Sequence, residues 1–76
     1  MKREYLAVLR EKRNESQQSV ANALGMSRQY YSMIEKGDRQ QNMDMIILDK
    51  LSSHFGVPIS RMVKWEQNYI KSRKRM

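Results

Sequence analysis

The sequence predicts an all-α fold, a compact bundle of five helices. Three observations carry that expectation. Apolar residues recur three and four apart in successive segments, the spacing of one helix face. Three glycines, Gly25, Gly37 and Gly56, each end such a segment, where a helix C-terminus favours a residue tolerant of positive φ. Polar residues suited to N-capping, Ser16, Ser27 and Asp44, stand ahead of three of the segments. Nothing in the pattern suggests strands.

The first helix is expected from about residue 2 to residue 13, with Leu6, Leu9 and Tyr5 facing inward. The second runs from Gln17 to Leu24 behind Ser16, and the third from Arg28 to Lys36 behind Ser27. The fourth spans Met45 to Phe55, capped by Asp44, with Met43 and Leu48 placed for a hydrophobic staple. Its inward positions are Met45, Leu48, Leu51 and Phe55. The fifth starts at Pro58, a good first-turn residue because its missing N–H has no helical partner anyway. It carries Ile59, Met62, Val63, Trp65 and Tyr69. Residues 1–70 form the domain, and residues 71–76, Lys71 to Met76, a frayed basic C-terminal tail.

Seventy-six residues suffice for one domain. A chain this short buries only about 60% of its unfolded surface, so helix packing and dimerisation carry its stability. With no cysteine there is no disulfide and no thiolate metal site, and His54 alone makes no metal cluster. No metal or cofactor is expected. The absence of cysteine fits a reducing cytoplasm. Fifteen basic residues against eight acidic give a net charge of +7, a field that attracts a polyanion. No apolar run is long enough to span a membrane, and the charged start, Met1 to Tyr5, resembles no secretion signal. Catalysis is not expected. There is no phosphate-cradling glycine loop, and Asp38, Asp44, Asp49, Ser32, Ser53 and His54 assemble no plausible acid–base or nucleophile set.

Gln17 to Lys36 is the most informative stretch. Val20, Leu24, Tyr31 and Ile34 are placed to fill a core between two helices. Ala21 is small where the helices cross, and Gly25 permits the tight turn between them. This is the spacing of a helix-turn-helix, which holds a short helix in the major groove of DNA. On the third helix, Tyr31 and Ile34 point inward, and Arg28, Gln29, Ser32, Met33 and Lys36 lie on the opposite face. No acid stands among them. The major groove presents donor and acceptor patterns that such side chains can read. Arg28 suits guanine O6 and N7, Gln29 suits adenine N6 and N7, Met33 a thymine methyl, and Ser32 a base or a phosphate. The alternative is an ordinary solvated face. Gln17 and Ser27 stand at helix N-termini, which favour anions. Lys36, Arg39, Gln40 and Gln41 follow the third helix and are candidate phosphate contacts, which position a protein without carrying sequence information.

The chain resembles the phage-repressor and Cro-like helix-turn-helix family, also called the XRE family. The resemblance covers about residues 6 to 63. It rests on Leu9-Arg10, Ser16-Gln17, Val20-Ala21, Leu24 to Arg28, Ile34 to Gly37 and Phe55-Gly56-Val57. It implies a lambda-repressor-like five-helix domain whose third helix reads operator DNA, usually as a two-fold dimer. It implies that Gln17 contacts a phosphate, that Arg28, Gln29 and Met33 match the base-reading positions, and that Arg10 and Glu35 form a structural ion pair. Two departures stand out. The segment Asp38 to Met43 is about two residues longer than the common pattern and lacks its usual proline. Tyr31 stands where an aliphatic residue is usual, and its hydroxyl needs a partner if buried.

The expected function is therefore a sequence-specific regulator of transcription that binds double-stranded operator DNA in the cytoplasm. Repression is the expected sign, because so small a chain has no room for a ligand or activation domain. Ile59, Met62, Trp65 and Tyr69 are candidates for a homodimer seam, or for packing on the bundle. One alternative is an antitoxin that autoregulates its operon and binds a toxin through the segment from Trp65 onward. Another is a basic helical protein that binds RNA or a membrane surface. The capped bundle and the few exposed aromatics argue against that last reading. His54 is expected at the surface or edge of the fourth helix, and the seven methionines are read as core filling plus an initiator.

Overall fold

The computed structural model describes residues 1–74. They form five helices, α1 Glu4–Lys12, α2 Gln17–Leu24, α3 Arg28–Lys36, α4 Met45–Phe55 and α5 Ile59–Lys74. No strand occurs among the described residues. Each of the three middle helices starts where its cap stands. Ser16 Oγ accepts from the Ser19 N–H at 3.0 Å, Ser27 Oγ from the Tyr30 N–H at 3.1 Å, and Asp44 Oδ1 from the Ile46 N–H at 2.7 Å. These bonds satisfy N–H groups that a helix cannot satisfy itself. Each ends on a glycine in the left-handed region. At Gly25 (φ 73°) this lets the chain turn directly from α2 into the start of α3.

Leu6, Val20, Ala21, Leu24, Tyr31, Ile34, Leu48, Leu51, Phe55 and Met62 make one continuous core. Helix α2 packs against both α3 and α4, and α4 against α5. Ala21 is fully buried, and its single methyl lets α2 and α3 approach closely. Burial of a Leu, Ile or Val side chain contributes roughly 1.5–3 kcal/mol, so the core outweighs any single surface interaction.

Four expectations need correction. Helix α1 begins at Glu4, because Arg3 leaves the helical path (φ −80°, ψ 83°). Met45 is 73% exposed in the first turn of α4, and the buried stripe begins at Leu48. Helix α5 begins at Ile59, with the carbonyl of Pro58 accepting from the N–H groups of Arg61 and Met62 at 3.0 and 3.1 Å. The basic segment from Lys71 extends α5 to Lys74 instead of fraying. Arg75 and Met76, the rest of the expected tail, lie outside the described residues. No described helix is long and apolar enough to cross a membrane.

A buried polar cluster docks the first residues and α5 onto the end of α3. Arg3 is fully buried, and its guanidinium donates to Glu66 of α5, Nε to Oε1 at 2.9 Å and Nη2 to Oε2 at 2.8 Å. The Tyr5 hydroxyl donates to Glu66 Oε1 at 2.6 Å. Burial and this bond to a carboxylate push the Tyr5 hydroxyl well above its ordinary pKa, so it stays a donor. Burial opposes the charge on Arg3, and Glu66 outweighs that, raising its pKa further.

Candidate nucleic-acid interface

Helix α3 is presented by its own inner face. Tyr31, Ile34 and Glu35 are buried, and this fixes the rotation of the helix. Arg28, Gln29, Met33 and Lys36 are exposed as a result, and Ser32 is half-buried. Positions 28 and 32, and 29, 33 and 36, are neighbours on the helix surface at three- and four-residue spacing. The outward face thus combines a guanidinium, an amide, a hydroxyl, a thioether and an ammonium in adjacent rows. Met33 is 37% exposed, enough to offer its thioether to an apolar group without leaving the helix surface.

The only acid of α3, Glu35, is turned inward and neutralised. Arg10 of α1 grips it, Nε to Oε2 at 2.7 Å and Nη2 to Oε1 at 3.3 Å. The Gln17 amide at the start of α2 donates to Glu35 Oε1 at 3.2 Å. One carboxylate therefore joins α1, α2 and α3. Burial alone raises a carboxyl pKa; here the bonds from Arg10 and Gln17 and the nearby Tyr31 hydroxyl outweigh it, and Glu35 sits below the ordinary range. Tyr31 carries the cost of that crowding. Its hydroxyl is buried beside the Glu35 carboxylate, the partner available to it, without a hydrogen bond of good geometry. Burial, with the field of Glu35, pushes its pKa well up and keeps it neutral.

The candidate phosphate contacts divide into two groups. Lys36, Arg39 and Gln41 are exposed, and Ser27 is exposed at the α3 N-terminus with its oxygen engaged in capping. Gln17 is half-buried and shares its amide with Glu35. Gln40 differs from the others in being half-buried and bonded within the chain. Its Nε2 donates to the Tyr30 hydroxyl at 2.7 Å, and its Oε1 accepts from the Asp44 N–H at 2.9 Å. Both ends of the amide are engaged within the protein, so Gln40 shapes the loop, and one amide N–H is left over for any contact outside it.

The four dimer-seam candidates also separate. Met62 is fully buried in the core, and Tyr69 is 7% exposed with its hydroxyl donating to the Met1 carbonyl at 2.7 Å. These two pack within the chain and are not available to a partner. Ile59 remains 39% exposed, and Trp65 is half-buried against Tyr5, ring centroids 5.8 Å apart.

Sequence reasoning missed two polar links. The larger is Arg3–Glu66. A signal for it exists: Glu66 falls between Met62 and Tyr69 on the inward stripe of α5, and an acid there demands a cation. The smaller is His54. It stands at the edge of α4 as expected, half-buried, and its Nε2 lies 2.8 Å from the Glu15 carboxylate, tying α4 to the segment before α2. Burial tends to raise the pKa of Glu15. His54 and Arg13 outweigh it and hold it below the ordinary range.

A family model described as helix-turn-helix matches residues 6–62. Two curated proteins are similar to the chain. The control protein C.MunI of Mycoplasma sp is 38% identical over 53 residues, which cover 70% of this chain and 69% of that protein. The cryptic phage CTXphi transcriptional repressor RstR of Vibrio cholerae is 34% identical over 55 residues, 72% of this chain and 48% of the repressor.

Proposed function

The chain belongs to the helix-turn-helix family, as a phage-repressor-like, DNA-binding regulator of transcription, and on that premise we propose that it reads one duplex sequence through α3 as a two-fold dimer. The observation that carries this reading is the outward face of α3. Arg28, Gln29, Ser32 and Met33 stand side by side, and the acid that would repel a phosphate backbone is buried behind them.

Arg28 forks onto guanine, Gln29 pairs with adenine, and Met33 lies against a thymine methyl. Ser27, Lys36, Arg39, Gln41 and the start of α2 at Gln17 contact the flanking phosphates and fix the register. Ile59, exposed, and Trp65, half-buried, are the seam candidates still open to a second copy. A two-fold dimer demands a palindromic site, with half-sites about 34 Å apart on one face of the duplex. Repression follows from occupation of such an operator, and the naming of the Vibrio cholerae relative as a transcriptional repressor supports that sign.

Selection of duplexes from a random pool tests the proposal. The expected result is enrichment of one palindromic site with half-sites a helical turn apart. No enrichment above random duplex would overturn sequence reading. Enrichment of an asymmetric site would overturn the dimer.

A further inference from the structure

Arg3 makes more bonds than a stabilising ion pair requires. A guanidinium has five N–H donors in a rigid fork. Here each has an acceptor. Nε and Nη2 donate to Glu66. Nη1 donates to the Ile34 carbonyl at 2.8 Å and the Arg39 carbonyl at 3.1 Å, and Nη2 also donates to the Gln40 carbonyl. The backbone N–H of Arg3 adds a bond to the Glu35 carbonyl at 2.7 Å. The guanidinium lies 4.7 Å from the centre of the Tyr69 ring. Two of the carbonyls belong to the last turn of α3, where helices leave acceptors unpaired and favour positive charge. The other two belong to the loop that follows.

The loop starts with the Asp38 and Arg39 N–H groups donating to the Met33 carbonyl, and beyond them Arg3 holds its carbonyls. Surface loops are mobile unless something ties their backbone down. This one has no proline to stiffen it. Gln40 holds a left-handed conformation (φ 58°) that non-glycine residues adopt only when their surroundings impose it. Arg3 binds the carbonyls on both sides of the Gln40 Cα, and the Gln40 side chain then bridges Tyr30 of α3 to Asp44 at the head of α4. With the backbone drawn inward, the Arg39 and Gln41 side chains are left exposed on the outside.

We propose that Arg3, held by Glu66, is a positioning residue for DNA binding: it fixes the loop after α3 so that Arg39 and Gln41 meet the phosphates beside the groove that α3 enters. The inference rests on the reading of α3 given above and adds to it the element that sets the loop. A loop already in its bound shape gives up less freedom on binding, so its phosphate contacts count fully toward affinity.

The test is the salt dependence of binding to the selected duplex, in the full chain. Each phosphate contact adds about 0.9 to the slope of log affinity against log salt. Arg3→Lys keeps the charge but has three donors for these acceptors, so it frees loop carbonyls. The expected result is a folded protein whose slope falls by about 1, with roughly tenfold weaker binding near 0.15 M salt. Its preference for the selected duplex over random duplex should persist within about threefold, because Arg28 and Gln29 are at the other end of α3. In an Arg39→Ala background, Arg3→Lys should lower the slope no further. Glu66→Gln is the second variant, with the same change in smaller measure.

An unchanged slope in folded Arg3→Lys and Glu66→Gln proteins would overturn the inference. So would additive losses with Arg39→Ala, or loss of fold in both variants, since each marks a purely stabilising role. Failure of the unsubstituted protein to prefer any duplex is a different outcome. It would overturn the reading of α3 and this inference with it.

Discussion

At its N-terminal end α3 is held by one side-chain cap, Ser27, and presents Arg28 and Gln29 to solvent. At its C-terminal end the same helix is enclosed. Gly37 is buried, the Glu35 carboxylate is gripped from two helices, and Arg3 binds the last carbonyls. The difference teaches how a chain of this size can hold a reading helix firmly while leaving its working surface bare. Anchoring is concentrated at the end away from Arg28 and Gln29, and the acids that do the anchoring are turned inward. The outward face is then left to hydrogen-bonding and basic groups.

The sharpest contrast is between the glycines that open and close this unit. Gly37 has φ 86°, and a Cβ there would collide with the Met1 carbonyl and the Tyr69 hydroxyl. Gly25 has φ 73° and open space around it. Gly37→Ala combines left-handed strain with overpacking, and is expected to cost about 3 kcal/mol of stability in urea unfolding. Gly25→Ala should cost about 1 kcal/mol, from strain alone. Equal costs would show that the close approach at Gly37 is not an anchor.

The next effect in size comes from the ion pair. Arg10→Met leaves the Glu35 carboxylate buried with only Gln17 to satisfy it. A loss of about 2 kcal/mol is expected, less than for a fully enclosed pair because Arg10 keeps some contact with solvent. Chemical unfolding of this variant beside Glu35→Gln measures it, and no loss in either would remove Glu35 from the anchor.

Acid should act on the same end. Glu35 and Glu15 both have depressed pKa values in the folded chain, from bonds to Arg10 and to His54 and Arg13 that outweigh their burial. Their ionised forms therefore favour the folded state above the free-glutamate value of about 4.3, and that contribution is lost as pH falls through the depressed values. Thermal melts should show a plateau above about pH 5 and a decline below pH 4, with Glu35→Gln flattening the decline. A melting temperature independent of pH across that range would contradict the assignment.

Ser27→Ala is a mild change, expected to cost about 1 kcal/mol through the lost cap. A loss as large as that of Gly37→Ala would reverse the contrast between the two ends.

The bounds of α2, α3 and α4 could be read to the residue because their signals are local. Ser16 and Gly25, Ser27 and Gly37, and Asp44 and Gly56 each bracket a helix with chemistry that acts within one turn. The exposure of Arg28, Gln29 and Met33 followed from the inward placement of Tyr31 and Ile34, again within one helix. The Arg10–Glu35 pair came from family resemblance, since spacing alone does not say which cation meets Glu35. What was hidden is long-range. Arg3 reads as a solvated charge until Glu66, 63 residues away, is known to face inward beside it. The commitment of Gln40 depends on a left-handed loop residue that no local pattern announced. Met62 and Tyr69 looked available to a partner because periodicity gives the stripe of α5 but not what covers it.

The most direct test is Arg28→Ala, measured on the selected duplex and on random duplex at the same salt. Arg28 is exposed and far from the anchored end, so the protein should stay folded with stability changed by less than about 0.5 kcal/mol. Binding to the selected duplex should weaken roughly tenfold to a hundredfold, with relaxed preference at one base pair and little change on random duplex. An equal loss on both duplexes would mean that Arg28 contacts only the phosphate backbone, and that α3 does not read sequence through this face.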